Sequence, residues 1–479
     1  MAVGERQVGS VAESTDEEAV VVALRAELGE DCVLTGETVH NRSAGIWRSD
    51  TVLAKAIVRP RSTDEVSRAM AICHRFDQKV VAHGGLTGLV ESGLTSRDEI
   101  AISLERMTHI EEVDSLDRTM VVEAGVPLQL VQTQAAEHNL MFPLDLGARG
   151  SCTIGGNIAT NAGGNRVVRY GMMRDMVLGL EAVLADGSVV SSMNRMIKNN
   201  AGYDLKQLFV GTEGSLGIVT RAVLRLREAP SSSPTMFVGI DSFEHLGQFL
   251  KHIDAATGGT LSAFEVMWND FYCLVSSPPA KQQAPLAQTY PYYVLVEAIG
   301  TEDSVVEAAL AEALEKEIIS DAVLAQSESQ RQNLWAMRDD VEQSFQFGPY
   351  YIFDVSLRLS CMEDYVQAVK AGLNKSFPGG SPKAFTFGHM GDGNLHFSVS
   401  PCLESEQDYD DSVREKVERC VYEPLAAIGG SVSAEHGIGL EKKPWLSISR
   451  NASELDLMRL LKKTLDPKGI LNSGKIFDA

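Results

Sequence analysis

Cysteine pairs, long apolar runs and clustered positive charge are all missing from this 479-residue sequence. The seven cysteines (Cys32, Cys73, Cys152, Cys273, Cys361, Cys402 and Cys420) are widely separated and form no C-x-x-C pair. Such a set reads as reduced thiols, which argues against a disulfide framework or a thiolate zinc site. No run of about 18 apolar residues occurs, so no helix is expected to span a membrane. Lysine and arginine number 43 against 65 aspartate and glutamate, a formal net charge of -22. That surface repels nucleic acid and anionic lipid, and no basic stripe interrupts it. The first stretch carries Glu5, Glu13, Asp16, Glu17 and Glu18 against Arg6 alone. It matches neither a secretory signal nor an Arg-rich transit peptide, and a cytoplasmic location is expected. Internal repeats and low-complexity tracts are absent as well.

What is present is ordinary for a folded chain with a sizeable core: 44% hydrophobic and 23% charged residues. The length accommodates two large domains or about three smaller ones. A polar start over residues 1–18 leads into an amphipathic helix from about Glu17 to Leu28. Ala56-Ile57-Val58 reads as a strand closed by Pro60, and Ser62 or Thr63 caps a helix from Asp64 to about Phe76. That helix places Val66, Ala69, Met70 and Cys73 on one face, and Val80-Val81-Ala82 follows as a second buried strand. Strand, helix and strand in so short a span make a βαβ unit. Further strands are expected at Ile100–Leu104, Thr119–Ala124 and Leu178–Leu184. The composition breaks at Ala229-Pro230-Ser231-Ser232-Ser233-Pro234. Beyond it, Met236–Ile240, a helix near Glu244–Ile253, Tyr292–Glu297 and a helix over Ser304–Glu317 alternate. That order predicts an α+β sheet domain with helices on one face. The resulting division is 1–40, 41–228, 229–440 and 441–479.

Glycine is concentrated in three nearly uncharged segments. His83-Gly84-Gly85-Leu86-Thr87-Gly88 follows a strand, and its glycines let backbone amides converge on a phosphate without interference from Cβ atoms. Taken alone it is as well explained by a tight turn, and it is neither a G-x-G-x-x-G fingerprint nor a P-loop. The second segment runs from Pro143 to Gly164, where Ser151, Thr153, Asn157, Thr160 and Asn161 offer polar side chains. The third runs from Lys198 to Thr220. Three such segments in one domain make sense where backbones must closely approach one extended cofactor.

The sharpest chemistry lies further on. In Phe385-Thr386-Phe387-Gly388-His389-Met390-Gly391-Asp392-Gly393-Asn394-Leu395-His396-Phe397-Ser398-Val399, strand-like flanks surround a Gly-Asp-Gly-Asn turn that can bring His389 beside His396. A second constellation is Ser433-Ala434-Glu435-His436-Gly437-Ile438-Gly439. Two imidazoles and a carboxylate suit a divalent ion with positions left open for substrate. A single histidine is more often a structural hydrogen-bonding partner. Here three of only ten histidines fall in two glycine-flanked turns, so both readings stand on the residues alone.

Over roughly residues 40–478 these segments resemble the FAD-dependent D-2-hydroxyacid dehydrogenases of the vanillyl-alcohol oxidase/p-cresol methylhydroxylase class of flavoproteins. The group includes D-2-hydroxyglutarate dehydrogenase, flavin D-lactate dehydrogenase and the glycolate oxidase catalytic subunit. The resemblance implies an α+β fold: a two-part FAD-binding domain plus a substrate, or cap, domain with an antiparallel sheet. It assigns the FAD pyrophosphate to the Gly84–Gly88 and Ser151–Asn157 loops, and the flavin or adenine to Gly155, Gly156, Thr160, Ile218 and Val219. The implied cofactor set thus comprises Gly84, Gly85, Thr87, Gly88, Ser151, Thr153, Ile154, Gly155, Gly156, Asn157, Thr160, Asn161, Gly217, Ile218, Val219 and Asn472. Although His83 adjoins the pyrophosphate loop, no attachment motif is evident, so tight noncovalent FAD is expected. The resemblance makes His389, His396 and Glu435 metal ligands and His436 the general base. The metal would be zinc, with manganese or iron also suited. Chelated through hydroxyl and carboxylate, the substrate would lose its proton to His436 and a hydride to flavin N5.

Substrate choice is where the match thins. Arg338 matches the family arginine that clamps a substrate carboxylate, although by itself it reads as a helix-surface arginine. Members accepting the second carboxylate of 2-hydroxyglutarate carry a threonine where this chain has Glu342. They also have a lysine in the strand that here reads Tyr351-Ile352-Phe353-Asp354, and an asparagine in place of Ser398. Glu342 with Ile352 or Phe353 makes a poor pocket for a dianion, and Arg358 on the same strand reads as solvated. A monocarboxylic D-2-hydroxy acid, lactate-like or aromatic, is therefore expected, with D-2-hydroxyglutarate as the alternative. Reduced FAD would unload to electron-transfer flavoprotein, a quinone or a cytochrome. A homodimer is compatible with the sequence, which does not show the oligomeric state. An O2-using oxidase is a second enzymatic reading. A noncatalytic flavin-binding subunit is disfavoured, because His389, His396, Glu435 and His436 are all in place. Lys442 and Lys443 are expected at the surface.

Overall fold

Ser62 opens its helix as the capping pattern predicts. The side chain accepts from Glu65 N at 3.2 Å, and Asp64 and Glu65 complement the N-terminal dipole of Thr63–Arg75. Val66, Ala69, Met70 and Cys73 are fully buried on its inner face. Burial of a side chain such as Met70 contributes about 2 kcal/mol. They belong to a core shared with Ala56, Val58, Val80, Ile100, Ile102, Ile470 and Leu471. The sheet beneath runs Val33–Thr35, Ala56–Val58, Ile100–Ser103, Val80–His83 in spatial order. Its last two pairings are parallel. The βαβ unit is thus present, with Ile100–Ser103 inserted between its two strands.

The structure, a computed structural model, describes residues 19–478; the polar start expected over 1–18 lies outside them. These residues divide into two units. One comprises residues 19–163, 171–229 and 435–478. The other comprises 164–170 and 230–434. Besides this mixed sheet, the first unit holds an antiparallel sheet ordered Ile110–Asp114, Thr119–Glu123, Ile218–Arg225, Val177–Val183, Val189–Ser192.

The second unit is built on a seven-stranded antiparallel sheet. Its order is Asp321–Leu324, Thr235–Ile240, Tyr292–Ala298, Leu261–Trp268, Lys383–His389, Asn394–Ser400, Tyr351–Ser356. Every residue of Leu261–Trp268 is buried, as a central strand covered on both sides requires. The expectation of helices on one face needs correction. Phe249, Tyr365 and Tyr422, from three long helices, pack on Phe264, Phe397 and Phe353. The opposite face is covered by Asn269–Val275 and Glu328–Arg338, whose Phe271, Tyr272, Leu334 and Met337 cluster with Met267, Leu295 and Phe387. The reason is alternation: Phe264 and Met267 lie on opposite sides of their strand, and both are large and apolar. The α+β class is as expected.

Candidate active site

In the first unit the three glycine segments meet. A Cβ on Gly84 would lie 2.6 Å from Thr153 Oγ1, and one on Gly85 only 1.9 Å from the Ser151 carbonyl. The first two loops are therefore pressed together at a distance only glycine allows. The third segment joins them through Gly211 N to Ile158 O (3.0 Å) and Glu213 N to Ala159 O (2.8 Å). Among the described residues, the backbone amides of Gly84, Gly85, Leu86, Thr87 and Gly88 donate to no protein acceptor. Asn157 Nδ2 is buried without a hydrogen-bond partner, and the Cys152 thiol, a weak acceptor, lies beside the side chain. A buried orphan such as Asn157 Nδ2 is costly unless something accepts from it, and the loop amides, in partly exposed residues and the exposed Gly88, are open to an incoming acceptor. They fit the oxygens of a phosphate-bearing cofactor.

Other residues of the expected cofactor set are engaged within the fold. Thr153 caps the helix Ile154–Thr160, its Oγ1 accepting from Gly156 N at 3.4 Å. Gly155 packs on the Ala124 side chain and Gly217 on the Phe209 ring. Thr160 Oγ1 donates to Gly156 O, while Asn161, in a left-handed conformation, accepts from Arg174 N. Ile218 and Val219 are buried opposite Val183 and Ala182. Both ends of the Asn472 side chain are occupied: Oδ1 accepts from Ala82 N at 2.9 Å and Nδ2 donates to Glu213 O. It ties the tail and the third segment to the first strand. Ser151 is exposed. The buried His83 bonds through Nε2 to Gly93 O (2.8 Å), and burial pushes its imidazole down to about 4.

In the second unit the hairpin Lys383–His389/Asn394–Ser400 pairs Phe387 with His396. The ring centroids of His389 and His396 are 5.2 Å apart, edge to face. At the centre of this face is Glu265, fully buried in Leu261–Trp268 opposite His389. Its Oε1 accepts from His389 Nδ1 at 2.6 Å, and its Oε2 from Arg338 Nε at 2.8 Å. Burial works to raise the Glu265 carboxyl, and the His389 and Arg338 charges outweigh it, leaving it below the usual glutamate range. Arg338 is buried at the end of its helix, not spread on a surface. It lies 5.1 Å over the Phe387 ring, with Nη2 3.4 Å from His389 Nε2.

Asp354, also fully buried, pairs in register with His396. It accepts from Asn394 Nδ2 (3.1 Å), Ser433 Oγ (3.2 Å) and Ala434 N (3.2 Å). Ser431 bridges to Ser356 on the same edge strand. The segment leading into the Glu-His motif is thus stitched beside Asp354. One trans peptide, about 3.8 Å between Cα atoms, separates Ala434 from Glu435. Beyond His436 the chain turns on Gly437 (φ +88) and Gly439 (φ +52), and the buried Glu213 holds Ile438 N at 2.7 Å and Gly439 N at 2.9 Å. Burial raises the Glu213 carboxyl. Lys442, expected at the surface, is buried within electrostatic reach of Glu213. Lys443 Nζ instead bonds Gly474 O and Asp478.

Residues 229–476 match the family "FAD linked oxidases, C-terminal domain", and residues 54–192 match "FAD binding domain". A D-2-hydroxyglutarate dehydrogenase of Xanthomonas citri pv. viticola is 39% identical over 88% of this chain and 89% of its own length. A second of that name, from Stutzerimonas stutzeri, is 33% identical over 96% of this chain and 99% of its length. A putative mitochondrial D-lactate dehydrogenase of Schizosaccharomyces pombe is 38% identical over 89% of this chain and 81% of its length. This chain belongs to the FAD-dependent D-2-hydroxyacid dehydrogenases. It is an oxidoreductase whose cofactor is FAD. Solved structures share the fold. p-Cresol methylhydroxylase has a TM-score of 0.73 at 15% identity, covering 96% of each chain. An alkyldihydroxyacetonephosphate synthase has a TM-score of 0.73 at 18% identity, covering 97% of this chain and 87% of its own.

The departures of this dehydrogenase from its family pattern now have places. Ile352 pairs with Ser398 on the histidine face, and Ser398 Oγ donates to Ser344 Oγ at 2.7 Å. Phe353, expected near substrate, points through the sheet to Tyr422, 5.4 Å away. Strand alternation allows only one of the two neighbours on the site face. Glu342 and Arg358 are exposed. Glu265, Asp354 and Glu213 escaped the sequence reading. The signal for Glu265 and Asp354 was a lone carboxylate in an apolar strand, which is costly to bury without a partner.

Proposed function

We propose that this enzyme oxidises a D-2-hydroxy acid to the 2-oxo acid, with His389, His396 and Glu435 holding a divalent ion and FAD bound noncovalently. The observation that carries the reading is the buried triad of Arg338, Glu265 and His389. A guanidinium sequestered beside an imidazole whose Nδ1 is tied to a carboxylate is the arrangement expected around a metal-ligating histidine. Two imidazoles and a carboxylate suit zinc first, and manganese or iron as well.

Bound at these side chains, the ion supplies Lewis acidity and FAD a hydride acceptor. The remaining tasks belong to the chain. Arg338 pairs with the substrate carboxylate through its planar fork. Nε2 of His389 stays directed at the same space, because Glu265 occupies the other ring nitrogen. His436 takes the hydroxyl proton, a task suited to an imidazole near neutrality. Phe387 and Ile352 give the face an apolar lining. Electrons then leave to an electron-transfer flavoprotein, a quinone or a cytochrome.

The substrate is a monocarboxylate, lactate-like or aromatic. Ile352 and Ser398 support this, since they line the face where a second carboxylate would need a cation. Arg358 is exposed. D-2-Hydroxyglutarate is the second reading, favoured by the names of relatives at 33–39% identity. Anaerobic mixing of the purified holoenzyme with D- and L-lactate, D-phenyllactate and D-2-hydroxyglutarate tests both. Bleaching of the flavin by the monocarboxylates at lower concentration supports the first reading, and by hydroxyglutarate the second. Bleaching by none of them overturns the proposal.

A further inference from the structure

Glu265 spends its two oxygens on different partners. Oε1 accepts from Nδ1 of His389 at 2.6 Å, and Oε2 accepts from Nε of Arg338 at 2.8 Å, with Nη2 equally close to the same oxygen. All three side chains are buried, Glu265 completely. They come from three elements: the strand Leu261–Trp268, the helix Glu328–Arg338 and the strand Lys383–His389. A single carboxylate thus sets the ring orientation of one residue and the rotamer of another.

The geometry points to Glu265 as the positioning residue that couples metal binding to recognition of the substrate carboxylate. This rests on the proposed roles of His389 and Arg338 and adds one of its own. By accepting from Nδ1, Glu265 fixes the His389 tautomer in which Nε2, approached by Arg338 Nη2 at 3.4 Å, is the ligand atom. By pairing with Nε and one side of Nη2, it fixes the plane in which the guanidinium, whose Nη1 also donates to Asp339 Oδ1 at 3.3 Å, meets a second carboxylate. The 3.4 Å between Nη2 and Nε2 then sets how closely ion and clamp sit. Substrate chelated at one end and clamped at the other meets a spacing that Glu265 holds.

The two oxygens can be separated by substitution. In Glu265→Gln one amide oxygen can still accept from Nδ1, while the amide NH2 faces the guanidinium and cannot pair with it. Zinc affinity, measured with zinc alone by competition against a chromogenic chelator, should stay close to wild type. KM for the reducing D-2-hydroxy acid should rise roughly tenfold or more, with kcat changed less. In Glu265→Ala both supports go, and zinc affinity should fall by roughly 10- to 100-fold as well. An unpaired buried Arg338 destabilises the fold, so the charge-balanced Glu265→Ala/Arg338→Met pair serves as control. It should show the same zinc loss in a folded, flavin-loaded protein.

Zinc binding unchanged in the folded alanine variants would overturn the inference, as would equal zinc loss in the glutamine and alanine variants. Should none of these fold, nitrogen NMR of the wild-type imidazoles decides. Nδ1 of His389 protonated with and without zinc supports the role, and Nδ1 unprotonated contradicts it. Failure of the underlying reading looks different: wild-type protein itself would bind no zinc, and chelator would leave turnover intact.

Discussion

In the FAD-binding unit the groups aimed at a ligand are backbone amides, those of Gly84 to Gly88, held open by glycines packed against another loop. In the seven-stranded unit they are side chains, Arg338, His389 and His396, all buried, the first two braced by the carboxylate of Glu265. The first arrangement is made by local chain geometry, so any added Cβ damages it and few side-chain identities matter. The second depends on identity almost atom by atom, because a buried charge without its partner is costly. Substitutions should therefore split cleanly between loss of cofactor and loss of chemistry.

The sharpest separation of chemistry from cofactor retention is expected at His436, which belongs to the FAD-binding unit. His436→Ala should lower kcat by about 10²- to 10⁴-fold at neutral pH while the purified protein keeps its flavin. Comparable loss of flavin absorbance would contradict the assignment of His436 to chemistry alone. Gly85→Ala should do the reverse. Its Cβ would fall 1.9 Å from the Ser151 carbonyl, so the loop must shift, costing about 1–3 kcal/mol and the retention of FAD. Gly147→Ala, with nothing within 4 Å of the added methyl, should behave as wild type in both assays.

These effects show why one site was legible in the sequence and the other only partly. Backbone approach demands glycine in runs, and runs are visible. The Gly-Asp-Gly-Asn turn likewise announced that His389 and His396 are neighbours. Glu265 was invisible because its partner His389 is 124 residues away, and pairing across a sheet leaves no local pattern. Ile352 and Phe353 could not be told apart without the register that pairs Ile352 with Ser398. Arg338 reads as an amphipathic-helix surface residue until the helix is seen packed over Phe387. The helix Asn269–Val275, only seven residues long, covers a sheet face that the alternating order had left open.

Two smaller effects refine the comparison. His83 closes the first glycine loop while neutral, its imidazole pushed down to about 4 by burial. An unfolded chain takes up that proton below its ordinary pKa of about 6.5, and the folded one does not until about 4. Stability should therefore fall as pH drops through that window, by about 1.4 kcal/mol per pH unit from this group, with no further loss below it. Urea unfolding of wild type and His83→Asn should differ in slope over that range; identical slopes would contradict the assignment. Asn157→Ala should be smallest. Nδ2 has at most the weak Cys152 thiol to donate to, so the FAD-free form loses little. FAD retention should weaken by about tenfold, the worth of one hydrogen bond. An equal loss of stability without FAD would mean that the amide serves the fold.

The most direct test is to treat the holoenzyme with a strong chelator, remove it, and record the anaerobic visible spectrum before and after adding a reducing D-2-hydroxy acid. The account predicts that the flavin stays bound and oxidised, is no longer bleached by the acid, and bleaches again once zinc is restored. Undiminished bleaching after chelation, or release of the flavin together with the metal, would contradict it.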